Sequence, residues 1–125
     1  MNKKYGILIC PDTHTVCDVH AFIWSGYELR QKLQIEGNEE IVLRDLERTG
    51  DTIVVSGFLN VATAGNASRC EGFDLCGERF YGRALVISGD ENRSSPVIDP
   101  HDISRVIRFL RLDRPNDASL APSAF

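Results

Sequence analysis

Long apolar runs are missing from this chain: none approaches the roughly 20 residues that a membrane-spanning helix requires. The start Met1-Asn2-Lys3-Lys4 is basic, yet Gly6 to Cys10 is too short for the apolar core of a signal peptide. The expected location is therefore the cytoplasm. A basic excess is missing as well, since 14 Lys and Arg stand against 18 Asp and Glu, for a net charge of −4. Nucleic-acid binding leaves a basic footprint that this balance does not show. The acidic excess is also too weak for a mimic of DNA. Histidine is scarce, and neither His14, His20 nor His101 stands beside a serine or cysteine in a recognisable catalytic signature. Carboxylates fall on turns and helix starts, where capping accounts for them. The glycines fit neither the phosphate-loop nor the dinucleotide pattern. These absences point away from an enzyme and from a bound cofactor.

What remains is a chain of 125 residues with 42% hydrophobic and 26% charged residues, the composition of a globular domain. Tyr5 to Cys10 predicts a strand apolar on both faces, Pro11 to His14 a turn, and Thr15 to Phe22 the returning strand. Ser25-Gly26-Tyr27-Glu28 reads as a capping box, and Trp24 with Leu29 as its hydrophobic staple. The helix so started is expected over 26–35, with Gly37 closing it. Strands follow at Glu40–Leu46 and Thr52–Ser56, then a polar, glycine-bearing stretch, then a strand at Phe80–Ser88. Asp99 as N-cap and Pro100 at the first helical position open a second helix. Its stripe is Ile103, Val106, Ile107 and Leu110. The order is β-β-α-β-β-loop-β-α, an α+β fold with a five-strand, mainly antiparallel or mixed sheet and both helices packed on one face. A single domain is expected over 1–112, and a flexible C-terminal tail over 113–125, where proline, serine and alanine show no periodicity.

Cys10, His14, Cys17 and His20 bring four zinc-type ligands within eleven residues, but in a spacing unlike that of known knuckles or fingers. With Cys10 facing Thr15 across the turn, Leu8, Cys10, Cys17 and Val19 share one face of the hairpin and His20 points to the other. These thiols are therefore read as structural, with no metal. Cys70 and Cys76 flank Glu71-Gly72-Phe73-Asp74-Leu75, and ordinary loop packing with both thiols reduced, as a cytosolic chain favours, is preferred to a small disulfide loop or a redox pair.

Two surfaces carry the candidate binding residues. The first is the stretch from Gly57 to Arg79, since structureless loops longer than about 12–15 residues are uncommon in compact domains unless they bind something or are disordered, a merely solvated loop being the alternative. Asn60, Thr63, Arg69, Glu71, Asp74 and Arg79 crowd it with polar side chains. The second is the outer face of the closing helix, where Arg105 and Arg108 surround Phe109, a composition common at interface hot spots. Arg83, on the strand beyond the loop, joins them. Every basic residue after Ala62 is arginine, which suits bidentate recognition of carboxylate or phosphate.

Leu59-Asn60-Val61-Ala62-Thr63, Tyr81-Gly82-Arg83-Ala84-Leu85-Val86-Ile87 and the closing helix with Asp99 and Ile103 together carry a resemblance. Over about residues 5–110 the chain resembles a small phage- and plasmid-borne family catalogued only as a domain of unknown function. In that family the Asn-to-Ala spacing is one residue longer. The resemblance implies a mobile-element origin. The expected function is a non-catalytic binding module that occupies a host protein or a small anionic ligand and so inhibits host defence. The alternatives are a small enzyme using Asp74, Glu78 and Arg83 between the 57–79 loop and strand 80–88, or a structural subunit of a larger assembly.

Overall fold

Alternating apolar residues set the layers. In β1 (Lys4–Cys10), Ile7 and Ile9 point to one side while Leu8 and Cys10 point to the other, and all four are buried. A strand buried on both faces demands cover on both. The computed structural model describes residues 3–35, 39–46, 49–57 and 71–110, so the expected tail at 113–125 lies outside the described residues.

β2 (Thr15–Ala21) pairs with β1 in the register that places Cys10 opposite Thr15 and Leu8 opposite Cys17. β3 (Ile41–Leu46) and β4 (Asp51–Ser56) form a second hairpin. A later strand, Ala84–Ile87, inserts between β1 and β4 and is antiparallel to both. The result is a five-strand antiparallel sheet whose outer strands are β2 and β3.

α1 (Gly26–Leu33) starts at Ser25, whose hydroxyl accepts the Glu28 amide at 3.3 Å. Half of the capping box forms, and the Glu28 carboxylate lies 3.8 Å from Lys32 Nζ. The helix ends two residues earlier than expected. Gln34 takes the left-handed conformation at φ 57° and donates its amide to the last turn, the role expected of Gly37. Gly37 itself lies outside the described residues.

The end of the loop expected over 57–79 is instead regular structure. β5 (Gly72–Leu75) and β6 (Glu78–Tyr81) form a tight hairpin around Cys76-Gly77, both with positive φ, as a type I′ turn requires. The single strand expected over 80–88 is broken at Gly82, φ 81°, which lets the chain leave β6 and enter the large sheet as β7 (Ala84–Ile87).

The closing helix, α2 (Pro100–Val106), is capped by Asp99, whose carboxylate accepts the Asp102 amide at 2.9 Å. It ends one turn before the expected stripe does. Val106 is exposed, Ile107 is extended, and Arg108–Phe109 form β8 against the free edge of β5. Unpaired backbone groups at that edge outweigh the helical preference of this segment, which is weak in Ile107 and Phe109.

The helices therefore do not share a face. Leu29 and Leu33 of α1 pack with Leu8, Cys10, Val54 and Leu85 on one side of the large sheet. Ile103 of α2 packs with Ile7, Ile9, Ile53, Val86 and the small-sheet residues Phe73, Leu75 and Phe80 on the other. The small three-strand sheet supplies the cover that two helices alone lack, which frees α1 for the opposite face. No helix among the described residues is long and apolar enough to cross a membrane.

Candidate functional site

The small sheet, in the order β6-β5-β8, has an inner and an outer face. Period-two alternation sends Phe73, Leu75 and Phe80 inward, where each is at most 2% exposed. Phe73 stacks on Phe80 with ring centroids 5.4 Å apart and meets Phe109 edge-on at 6.5 Å. Phe109 in turn stacks on His14, with centroids 4.7 Å apart and planes 3° from parallel. His14, at φ 55°, is thus an aromatic neighbour in the packing and not a partner of the nearby thiols.

The outer face is polar. Asp74 is in register with Arg79 on one side and Arg108 on the other, so one carboxylate lies between two guanidinium groups along a single row. Arg79 Nε donates to Asp74 Oδ1 at 2.8 Å and its Nη2 to Oδ2 at 3.2 Å, a fork-on-fork pair. These hydrogen bonds, with the fields of Arg79 and Arg108, hold the Asp74 carboxyl below its ordinary pKa. The same pair, with help from Tyr81, raises the Arg79 guanidinium above its own. Arg108 makes no ion pair or hydrogen bond with its side chain among the described residues, and neither does Arg105 one turn before the strand. Beside this row, a Cβ on Gly72 would lie 2.5 Å from the Phe80 backbone carbonyl oxygen, so the strand needs glycine there.

The candidate residues therefore separate. Asp74, Arg79 and Arg108 come together on the outer face, with Arg105 exposed on α2. Phe109 turns inward, because a strand alternates where a helix would have kept it beside the arginines. Glu71 and Arg83 lie elsewhere, along a small depression of about 200 Å³ shared with Asp12 and Gln34. There Arg83 Nη2 is 3.5 Å from Asp12 Oδ2, and the Glu71 carbonyl accepts the Gly82 amide at 2.8 Å. Asn60, Thr63 and Arg69 lie outside the described residues. The one sign in the sequence of this arrangement is alternation: Phe73-Asp74-Leu75 and Ile107-Arg108-Phe109 both place a charge between apolar residues.

Asp74, Glu78 and Arg83, the residues of the enzyme alternative, do not converge. Asp74 is on the outer face and bound to Arg79, while Glu78, four residues on, has the inner-face parity and pairs with Arg44 of β3. Cys10 is 6% exposed, and burial raises its thiol pKa against the lowering field of Arg83. Cys10, Cys17 and His20 are divided between two faces of the hairpin as the register requires. Among the described residues, no group of three or more potential metal ligands converges.

Fold and site together define an α+β protein with an arginine-bearing sheet face. No family model, curated protein or solved structure matches the chain.

Proposed function

We propose that this protein is a non-catalytic binding module that takes an anionic ligand, or an acidic patch of a partner protein, on the outer face of its small sheet. The observation that carries the reading is the row Arg79–Asp74–Arg108. Asp74 fixes the Arg79 fork, so an arriving anion orders little that is not already ordered. Arg108 adds a guanidinium with no side-chain hydrogen bond or ion pair among the described residues, and Arg105 a second. Arginine in such a place suits bidentate contact with carboxylate or phosphate. In the mobile-element setting that the family resemblance implies, the partner is a host component, and occupying it inhibits host defence.

The experiment is a paired screen. Thermal shift against a panel of nucleotides tests small anions, and affinity capture from host lysate tests proteins, each with wild type and Arg108→Glu. The reading expects binding in one arm that weakens with added salt and is lost in the variant. Silence in both arms, or binding indifferent to Arg108→Glu, would overturn it.

A further inference from the structure

β3 closes the large sheet with nothing paired to its outer edge among the described residues. The Gly57 amide donates to the Glu40 carbonyl and the Gly50 amide to that of Leu46, both at 2.8 Å. The backbone groups of even-numbered residues thus point toward β4. By alternation, those of Ile41, Leu43 and Asp45 point outward, with no strand paired to them among the described residues. Leu43 lies opposite Val54, on the α1 side of the sheet, where α1 is too short to cover the end of β3. A cleft of about 500 Å³ opens there, walled by Leu43, Ile23, Trp24, Ile87 and Thr52. Leu43 is 58% exposed and Ile23 66%, so large apolar side chains stand open beside a free strand edge. At the cleft's far end, Lys4 Nζ is already held by the Glu91 carbonyl at 2.7 Å, and Arg93 Nε donates to the Ser95 carbonyl at 3.3 Å. At the β3 end, the carboxylates of Glu40 and Asp45 have no partner among the described residues, while Arg44 is taken by Glu78.

We propose that the β3 edge receives an extended segment of a partner protein, paired antiparallel, with apolar side chains opposite Ile41 and Leu43 and a lysine or arginine opposite Asp45. Main-chain hydrogen bonds to residues 41, 43 and 45 hold the segment. The cleft selects the apolar side chain opposite Leu43, and Asp45 selects the charge. The motif, from the segment's N-terminus, is basic-any-apolar-any-apolar. A second copy of this chain fits poorly. Outward-pointing residues must face one another, and the register centred on Val42 sets Glu39 against Asp45 of the copy twice. The register centred on Leu43 sets each Asp45 against Ile41, and the one centred on Arg44 sets arginine against arginine. The acidic edge therefore calls for a different, basic strand.

The test is selection of a displayed library of random heptapeptides against the immobilised full chain. The proposal expects enrichment of the basic-any-apolar-any-apolar pattern, and a synthetic peptide of the selected sequence should shift the amide resonances of residues 41–45. Asp45→Lys should invert the selected charge from basic to acidic. Leu43→Pro removes one outward amide and leaves the β4-facing groups in place, so binding should be lost with the circular dichroism spectrum unchanged. If that variant does not fold, the charge inversion at Asp45 decides the matter alone. No enrichment, enrichment without a basic residue, or shifts confined to other residues would overturn the proposal. So would concentration-dependent dimerisation that protects residues 41–45, since it would show a second copy on the edge. Arg108→Glu should leave the selection untouched, which separates this surface from the arginine face.

Discussion

Asp51 opens β4, is 1% exposed, and spends both carboxylate oxygens on the segment that leads into α2. Its Oδ1 accepts the Val97 amide at 2.8 Å. Its Oδ2 accepts the Ile98 amide at 2.9 Å and the Thr49 hydroxyl at 2.8 Å. Asp51→Asn keeps the shape, but whichever way the amide turns, its NH₂ group faces one of the two backbone donors. One hydrogen bond to a charged acceptor is lost, at about 1.5–3 kcal/mol, and a donor is left without a partner. Val97 is 54% exposed, so water reaches that side and limits the penalty. The expected cost is about 2–3 kcal/mol for Asp51→Asn and about 3–4 kcal/mol for Asp51→Ala, which loses both backbone contacts. Urea denaturation should show a lower midpoint with an unchanged slope, and amide exchange should quicken at Val97 and Ile98 before it does in β4. A loss below about 0.5 kcal/mol for Asp51→Asn would refute the claim that this carboxylate pins the 97–98 segment.

Phe73→Ala should cost about 3–5 kcal/mol in the same assay, because the ring is fully buried and flanked by Phe80 and Phe109; a cost near 1 would show that the small sheet is loosely packed. Ser25→Ala removes the cap on the Glu28 amide and should cost about 1 kcal/mol, while an unmoved midpoint would mean the cap is not formed. The Asp74 carboxyl is held below its ordinary range, so its stabilising share is present above the unfolded pKa of about 3.9 and is lost as pH falls through the lower folded value. Carboxyl-detected NMR titration should place its midpoint below that of a free aspartate, and added salt should move it upward, because the pair is exposed. An ordinary midpoint would mean the Arg79 fork does not persist in solution.

The β1–β2 register, both helix starts and the β3–β4 hairpin were legible because each carries a local signal: a turn, a capping residue or a run of β-formers. What escaped depends on partners distant in sequence. Gln34, not Gly37, ends α1, since the left-handed residue is set by where the chain must turn. Ile107, Arg108 and Phe109 read as a continuing helix because a period of 3.6 and a period of 2 agree over so few residues. Only the free edge of β5, more than thirty positions earlier, decides between them. That edge was itself hidden, because Cys76-Gly77 is a tight turn in which the first residue is not one of the usual asparagine or aspartate turn formers. Opposite-face packing followed from the same omission: without the small sheet, two helices looked like the cover for one face. Of the site, the arginines were legible by composition, but their grouping around Asp74 and the inward turn of Phe109 were not.

The central claim is that the chain after α2 is a strand on β5, which brings Arg108 beside Asp74 and stacks Phe109 on His14. Nuclear Overhauser spectroscopy on the full chain tests it directly. The account predicts cross-strand contacts between Asp74 and Arg108, contacts between the Phe109 and His14 rings, and extended-chain sequential contacts from Ile107 to Leu110. A run of amide-to-amide contacts continuing through Ile107 to Leu110, with the Phe109 ring away from His14, would mean that α2 continues as a helix and that the arginine row does not exist.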